Sequence, residues 1–167
     1  LSGGQRKRVA LNADVFIRRS NDVIPEITGR ASEERAPDEV DIVRPAVCPA
    51  CGAQLTERGA HIFCPNRDGC LPQIVARMSH FASRNAMDIE GLGESVAENL
   101  IGAGLLTTPA GIYYLNAREL ARLDRMGKKS AENLINAIEK SKQAGLARLI
   151  CAFGIRQVGS KAGKVLA

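Results

Sequence analysis

One pattern recurs three times in the second half of this 167-residue chain, and it limits the fold more than any other feature. The copies are MDIEGLGESVAENLIGAGL (87–105), ARLDRMGKKSAENLINAIE (121–139) and GIRQVGSKAGKVLA (154–167). Aligned on Gly93, Gly127 and Gly159, they are spaced by 34 and 32 residues. Four positions before each glycine stands an aliphatic anchor, Ile89, Leu123 or Ile155. Directly before it comes Leu92, Met126 or Val158, and seven after it Leu100, Leu134 or Leu166. A repeat of this period is one supersecondary unit that cannot bury its apolar face alone. The unit reads as helix, tight glycine turn, helix, and predicts a mainly α fold for residues 73–167.

A helix that opens directly behind Gly91-Leu92-Gly93 leaves its first backbone N–H groups without intrahelical acceptors. Those donors, with the positive end of the helix dipole, form a site for an anionic oxygen. Glycine lets the turn take unusual backbone angles and lets a phosphate approach with no Cβ in the way. Such a site reads phosphate and carries no base information. The competing reading is an ordinary αα-hairpin with a glycine turn, and three copies weigh against it. The unit resembles the helix-hairpin-helix motif, a binder of DNA backbones. That resemblance implies Gly91, Gly93, Gly127 and Gly159 as DNA-binding positions. Lys128, Lys129, Lys161 and Lys164 follow the glycines, where their charge would reinforce amide–phosphate bonds; the plain alternative for each is a solvated lysine.

The formal net charge of +5 and a pI near 9.1 suit a polyanionic partner without demanding one. Aromatic residues make up 4% of the chain and tryptophan is absent, which argues against a stacking platform for single strands. No apolar run approaches the roughly 18 residues of a membrane span. The N-terminal stretch lacks the apolar segment of a signal peptide, and a start on Leu1 suggests a piece of a longer protein. Leu1-Ser2-Gly3-Gly4-Gln5 matches the signature of ABC-transporter ATPases. That chemistry also needs a GxxxxGK[ST] loop and a carboxylate-bearing strand, and neither is present.

Asp14 to Arg19 reads as a strand, Asn21-Asp22 as a turn, and Val23 to Ile27 as a second extended run. Pro25 suits an edge position, and two strands make no stable sheet alone. Arg18 and Arg19 are candidate DNA-phosphate contacts, with a solvated pair as the alternative. From Arg30 to Pro45 the composition turns to Glu, Asp, Arg, Ala and Pro without periodicity, as in a linker. Cys48, Cys51, Cys64 and Cys70 then give C-x2-C-x12-C-x5-C. Four thiolates with no open position make a structural zinc site rather than a catalytic one, in a segment too small to fold without the metal. Four cysteines suffice without His61. Such cysteine usage fits a reducing compartment, and Cys151, in an apolar run, is expected buried and inert.

From Pro72 the chain is helical. Ile74, Met78 and Phe81 recur at helical spacing, Thr108-Pro109 opens a short helix carrying Tyr113 and Tyr114, and Asn116 starts the next. Leu134, Ile135 and Ile138 continue the apolar stripe, and Gly145 breaks the chain before a last helix leads into the third copy.

Taken together, RRSNDVIPEI (18–27), CPACGAQL (48–55), CPNRDGCLPQ (64–73), SRNAMDIEGLGESVAENLIGAGLL (83–106), KSAENLINAIEKSK (129–142) and GIRQVG (154–159) resemble the C-terminal half of bacterial NAD-dependent DNA ligase. The resemblance implies the tail of an OB-fold (1–30), a linker (31–47), a four-cysteine zinc finger (48–72) and a helix-hairpin-helix domain (73–167). In that family these modules wrap nicked double-stranded DNA in replication and repair. An N-terminal adenylation domain of the same chain uses NAD and Mg2+ to adenylate a lysine. It then passes AMP to the 5′-phosphate for attack by the 3′-hydroxyl. The nucleophilic lysine lies in KxDG, which does not occur here, so this chain is expected to hold Zn2+, to bind neither NAD nor Mg2+, and to be inactive unaided. A cytoplasmic, nucleoid-associated monomer with no membrane partner is implied, and a fourth hairpin is expected beyond residue 167. Arg125 and Gln157 depart from the family, standing where the first hairpin glycine would be, which makes the first hairpin the strongest DNA site. Ser20-Asn21 likewise replaces the more usual Ala-Gly. Two other readings stay open: a protein-interaction scaffold ordering neighbouring domains, and the DNA-binding part of another repair enzyme.

Overall fold

The computed structural model describes residues 9–20, 23–59 and 61–167. The Leu1 to Gln5 signature and the Asn21-Asp22 turn lie outside the described residues. The chain divides into two compact units, Leu1–Asn66 and Arg67–Ala167.

In the first unit, β1 (Val15–Ser20) pairs antiparallel with β2 (Ile24–Arg30), placing Arg18 opposite Glu26 and Ile17 opposite Ile27. Phe16, Ile17 and Ile24 stay largely exposed, since a two-stranded ribbon buries neither face. The segment read as a linker forms no helix or strand, yet it folds back on the chain. Leu11 and Val40 exchange backbone hydrogen bonds of 2.8 and 3.2 Å. Arg30 pairs with Glu39 at 2.5 Å, and Arg35 pairs with Asp41. The Arg30 guanidinium holds the Glu39 carboxyl below the ordinary carboxylate range, and Arg35 does the same to Asp41. A short antiparallel pair follows, β3 (Thr56–Arg58) with β4 (His61–Phe63).

The second unit is helical. Helix α1 (Leu71–Ala82) turns Val75, Met78, Phe81 and Ala82 inward, positions of one helical face. Helix α2 (Glu94–Gly102) contributes Ala97 and Leu100. A 3₁₀ helix (Pro109–Tyr114) begins at Thr108, whose hydroxyl accepts from the Gly111 amide at 3.3 Å. In α3 (Ala117–Leu120) the Asn116 side chain caps the helix by accepting from the Glu119 amide at 2.9 Å. Helix α4 (Lys128–Ser141) turns Ala131, Leu134, Ile138 and Ser141 inward. Buried Ser141 is satisfied, since its hydroxyl donates to the Ile138 carbonyl at 2.7 Å and meets the Tyr113 hydroxyl at 3.2 Å. Met78, Leu100, Leu106, Ile112, Leu120 and Leu134 form the fully buried centre.

Helix α5 (Leu146–Ala152) starts at Gly145, and α6 (Ser160–Leu166) packs on it. A Cβ on Gly163 would lie 2.7 Å from the Ala147 carbonyl oxygen, so this close approach requires glycine. Arg148 donates from Nε to the Ala86 carbonyl and from Nη2 to the Arg84 carbonyl, both at 2.6 Å. It ties α5 to the loop that enters the first repeat. Cys151, expected buried, is only half-buried; the His80 ring contacts its carbonyl at 3.1 Å. The architecture is mainly helical, with a hairpin array, a four-cysteine cluster and short strand pairs.

Candidate nucleic-acid interface and metal centre

The cysteines come together because each sits on a local device that fixes its position. Cys48 opens a tight turn in which the Gly52 amide donates to the Cys48 carbonyl at 2.8 Å, with Gly52 at φ +72°. Cys51 lies inside that turn, Cys64 directly follows β4, and Cys70 is the N-cap of α1, its carbonyl accepting from Gln73 and Ile74. The four sulfur atoms all lie within 4.8 Å of one another. A zinc–sulfur bond of about 2.3 Å implies tetrahedral sulfur–sulfur edges of roughly 3.8 Å, and Cys51 Sγ to Cys64 Sγ is 3.5 Å. Donation from the Ala50 and Cys51 backbone amides pulls the Cys48 thiol down to about 7, which favours the thiolate a metal requires. His61 stands outside the cluster, its ring 6.2 Å from that of Phe63. Four soft donors with no place for water suit a structural metal ion.

The three repeats share one backbone. In each, the residue before the second glycine donates its amide to the aliphatic anchor: Leu92 to Ile89 at 3.3 Å, Met126 to Leu123 at 3.2 Å and Val158 to Ile155 at 2.9 Å. The glycine is then the N-cap, and its carbonyl accepts from Ala97, Ala131 or Gly163 at 2.9 Å. No side chain caps α2, α4 or α6. Gly93, Gly127 and Gly159 are exposed, and a Cβ built on any of them meets nothing within 4 Å. The first amides of each helix thus have no side-chain cap, and the glycine ahead of them leaves the approach clear.

The departures at the first glycine position leave this geometry intact. Gly91 has φ +90°, Arg125 +60° and Gln157 +67°. The turn imposes the left-handed region in all three copies, which glycine occupies freely and the other two residues only under strain. Charge, in contrast, differs sharply between copies. The first copy holds Asp88, Glu90, Glu94 and Glu98 with no Lys or Arg from 87 to 105. Cations reach it from elsewhere, Arg148 lying 4.0 Å from Asp88 and Lys140 lining the same hollow as Glu90. The second carries exposed Arg122, Arg125, Lys128 and Lys129, none of them ion-paired among the described residues, together with the acids Asp124, Glu132 and Glu139. The third carries exposed Arg156, Lys161 and Lys164. Arg18 is engaged across the strand pair, donating from Nε and Nη2 to Glu26 at 3.0 Å, whereas neighbouring Arg19 is exposed.

Residues 83–140, the first two repeats, match the family model of the SAM-like helix-hairpin-helix tandem. The chain is 49% identical over 163 residues to a DNA ligase of Alkaliphilus metalliredigens and 48% identical over 163 residues to one of Finegoldia magna. Each alignment covers 98% of this chain and 24% of the relative. A DNA ligase of Chloroherpeton thalassium is 47% identical over 92% of the chain and 23% of its own length. The chain thus spans about a quarter of the length of the curated relatives it matches.

Proposed function

This chain belongs to the DNA ligase family as a segment of it, and from that premise we propose that it grips nicked double-stranded DNA through its phosphates without reading sequence. The observation that carries the reading is the turn built three times over, each copy exposing an uncapped helix start behind an open glycine. Gly91, Gly93, Gly127 and Gly159 shape the seats, and Lys128, Lys129 and Lys161 add charge. Arg19 extends the contact from the strand pair more readily than Arg18, which Glu26 holds. The cysteine cluster takes Zn2+, one ion per chain. The parent enzyme joins ends by the NAD-dependent route through an AMP intermediate, in replication and repair. Its N-terminal adenylation domain supplies that chemistry, with Mg2+ as helper. The segment alone seals no nick, works as a monomer in the cytoplasm, and is built of an OB-fold tail (1–30), linker (31–47), zinc finger (48–72) and hairpin domain (73–167). No helix among the described residues is long and apolar enough to cross a membrane.

A gel-shift series with nicked, intact and single-stranded DNA tests this. Preference for duplex, with affinity falling in salt by a log–log slope of about −0.9 per phosphate contact, is expected. A flat salt response or a marked sequence preference defeats the reading. Metal analysis of the same sample should find one zinc, and chelation should unfold residues 48–70.

The scaffold reading draws on one observation, the uneven burial of equivalent positions. Leu100 and Leu134 are 0% and 2% exposed, but Leu166 is 63% exposed and Ile155 53%. The scaffold reading assigns this apolar face to a neighbouring segment of the same ligase chain, alongside the DNA contacts.

A further inference from the structure

A cleft of about 420 Å³ in the second unit lies outside the turn glycines and the lysines behind them. It is lined by Arg67, Ala76, Arg77, His80 and Phe153, among others, and no carboxylate lines it. Arg77 is held in place on two nitrogens: Nη1 donates to Asp68 Oδ1 at 3.0 Å and Nη2 to the Arg67 carbonyl at 3.3 Å. Its Nε–H is buried and has no acceptor. A buried donor left unpaired is costly and calls for an acceptor. Both holds are weak ones, an exposed carboxylate and a 3.3 Å carbonyl contact, so the guanidinium can turn its Nε–H to an acceptor in the cleft. The Arg67 side chain beside it is exposed and has no partner of its own among the described residues. Across the cleft stands Phe153, 56% exposed, its ring anchored 6.4 Å from that of Phe81. His80 is fixed by its 3.1 Å contact to the Cys151 carbonyl, which an imidazole makes by donating from Nε2.

We propose that this cleft seats the phosphate of a nucleotide, taking donors from Arg77 Nε–H and Arg67, with the Phe153 ring as the wall for its sugar or base. Guanidinium forks suit phosphate geometry, and an aromatic ring accepts any base by stacking. A free nucleotide and a nucleotide unit of a DNA strand share this chemistry. The residues are separate from the hairpin turns, so the proposal stands or falls apart from the phosphate grip assigned to them.

The Nε–Hε resonances of arginine in ¹H–¹⁵N spectra of the full chain give a direct readout. The probes are inorganic phosphate, a deoxynucleoside 5′-monophosphate and a short single strand ending in a 5′-phosphate. Each is expected to move the Arg77 Nε–Hε signal saturably. The mononucleotide should bind about tenfold more tightly than inorganic phosphate, the worth of one stacked ring. Phe153→Leu should erase that advantage and leave inorganic phosphate unchanged. Arg67→Gln, at an exposed site, should weaken all three by about tenfold while the amide spectrum stays folded. Tighter binding of the mononucleotide assigns the free ligand, and tighter binding of the strand assigns DNA. A stationary Arg77 signal, equal movement with chloride at matched ionic strength, or unaltered affinity in Arg67→Gln overturns the proposal.

Discussion

In the first repeat Gly91 sits at φ +90° and Gly93 opens a helix whose first residue is Glu94; in the second, Arg125 sits at +60° and Gly127 opens a helix on Lys128 and Lys129. The backbones match, and the charges oppose. A carboxylate in the first turn of a helix complements its dipole, and a cation there opposes it, each by about 0.3–1 kcal/mol. The first repeat places a carboxylate at its helix start, while the second gathers four unpaired cations, the strained Arg125 among them, at one exposed end. Asp124 and Glu132 offset part of that charge, and no ion pair among the described residues neutralises the rest. A polyanion does. The difference teaches that the glycine pattern marks where a phosphate fits, and the charge pattern marks where it is drawn. The first repeat has the better glycines and the second the better field.

The largest expected effect separates the two. Replacing Lys128 and Lys129 by Glu should weaken duplex binding roughly 30- to 100-fold near 0.1 M salt and lower the salt slope by about 1.8. Fluorescence anisotropy across a salt series measures both. Next comes Gly127→Val. The position has φ −75° and open space around it, so the melting temperature should hold while affinity falls about tenfold through blocked approach. Equal losses in Gly93→Val would show that amides outweigh charge and that the two repeats bind alike. Smaller still, Glu90→Gln with Glu94→Gln should raise affinity about threefold by removing repulsion, and cost α2 about 0.3–1 kcal/mol. Arg125→Gly should stabilise the fold by about 0.5–1 kcal/mol, as relieved strain exceeds glycine's entropic cost. The smallest effect is a control in the other unit. Glu39 and Asp41 have depressed pKa values, so their pairing supports the fold above the ordinary carboxylate pKa near 4. That support fades as pH drops through the folded values, and amide exchange at residues 39–41 should rise before either turn changes.

Features with a fixed spacing were legible. The cysteines cluster because C-x2-C and C-x5-C are local, and the hairpins follow from anchors repeated around Gly93, Gly127 and Gly159. Other features escaped for physical reasons. The pairing of β3 with β4 rests on three residues a side, of which only Ile62 is partly buried, too few for a period-2 pattern. The segment after Arg30 is held by ion pairs such as Arg30–Glu39, and ion pairing leaves no periodic trace in sequence. At Arg125 and Gln157 residue preference pointed away from the left-handed region, and the turn overrode it. The charge contrast between repeats is written in the letters, whereas glycine count by itself favours the first repeat.

On the proposed reading, open amides behind the turn glycines hold the sugar–phosphate backbone. Titrating nicked duplex into the ¹⁵N-labelled chain tests it most directly. The amide resonances of Lys128, Lys129 and Ser130 should move furthest and earliest, followed by those of Ser160 and Lys161. Binding that leaves those amides unmoved while signals elsewhere shift would contradict the account.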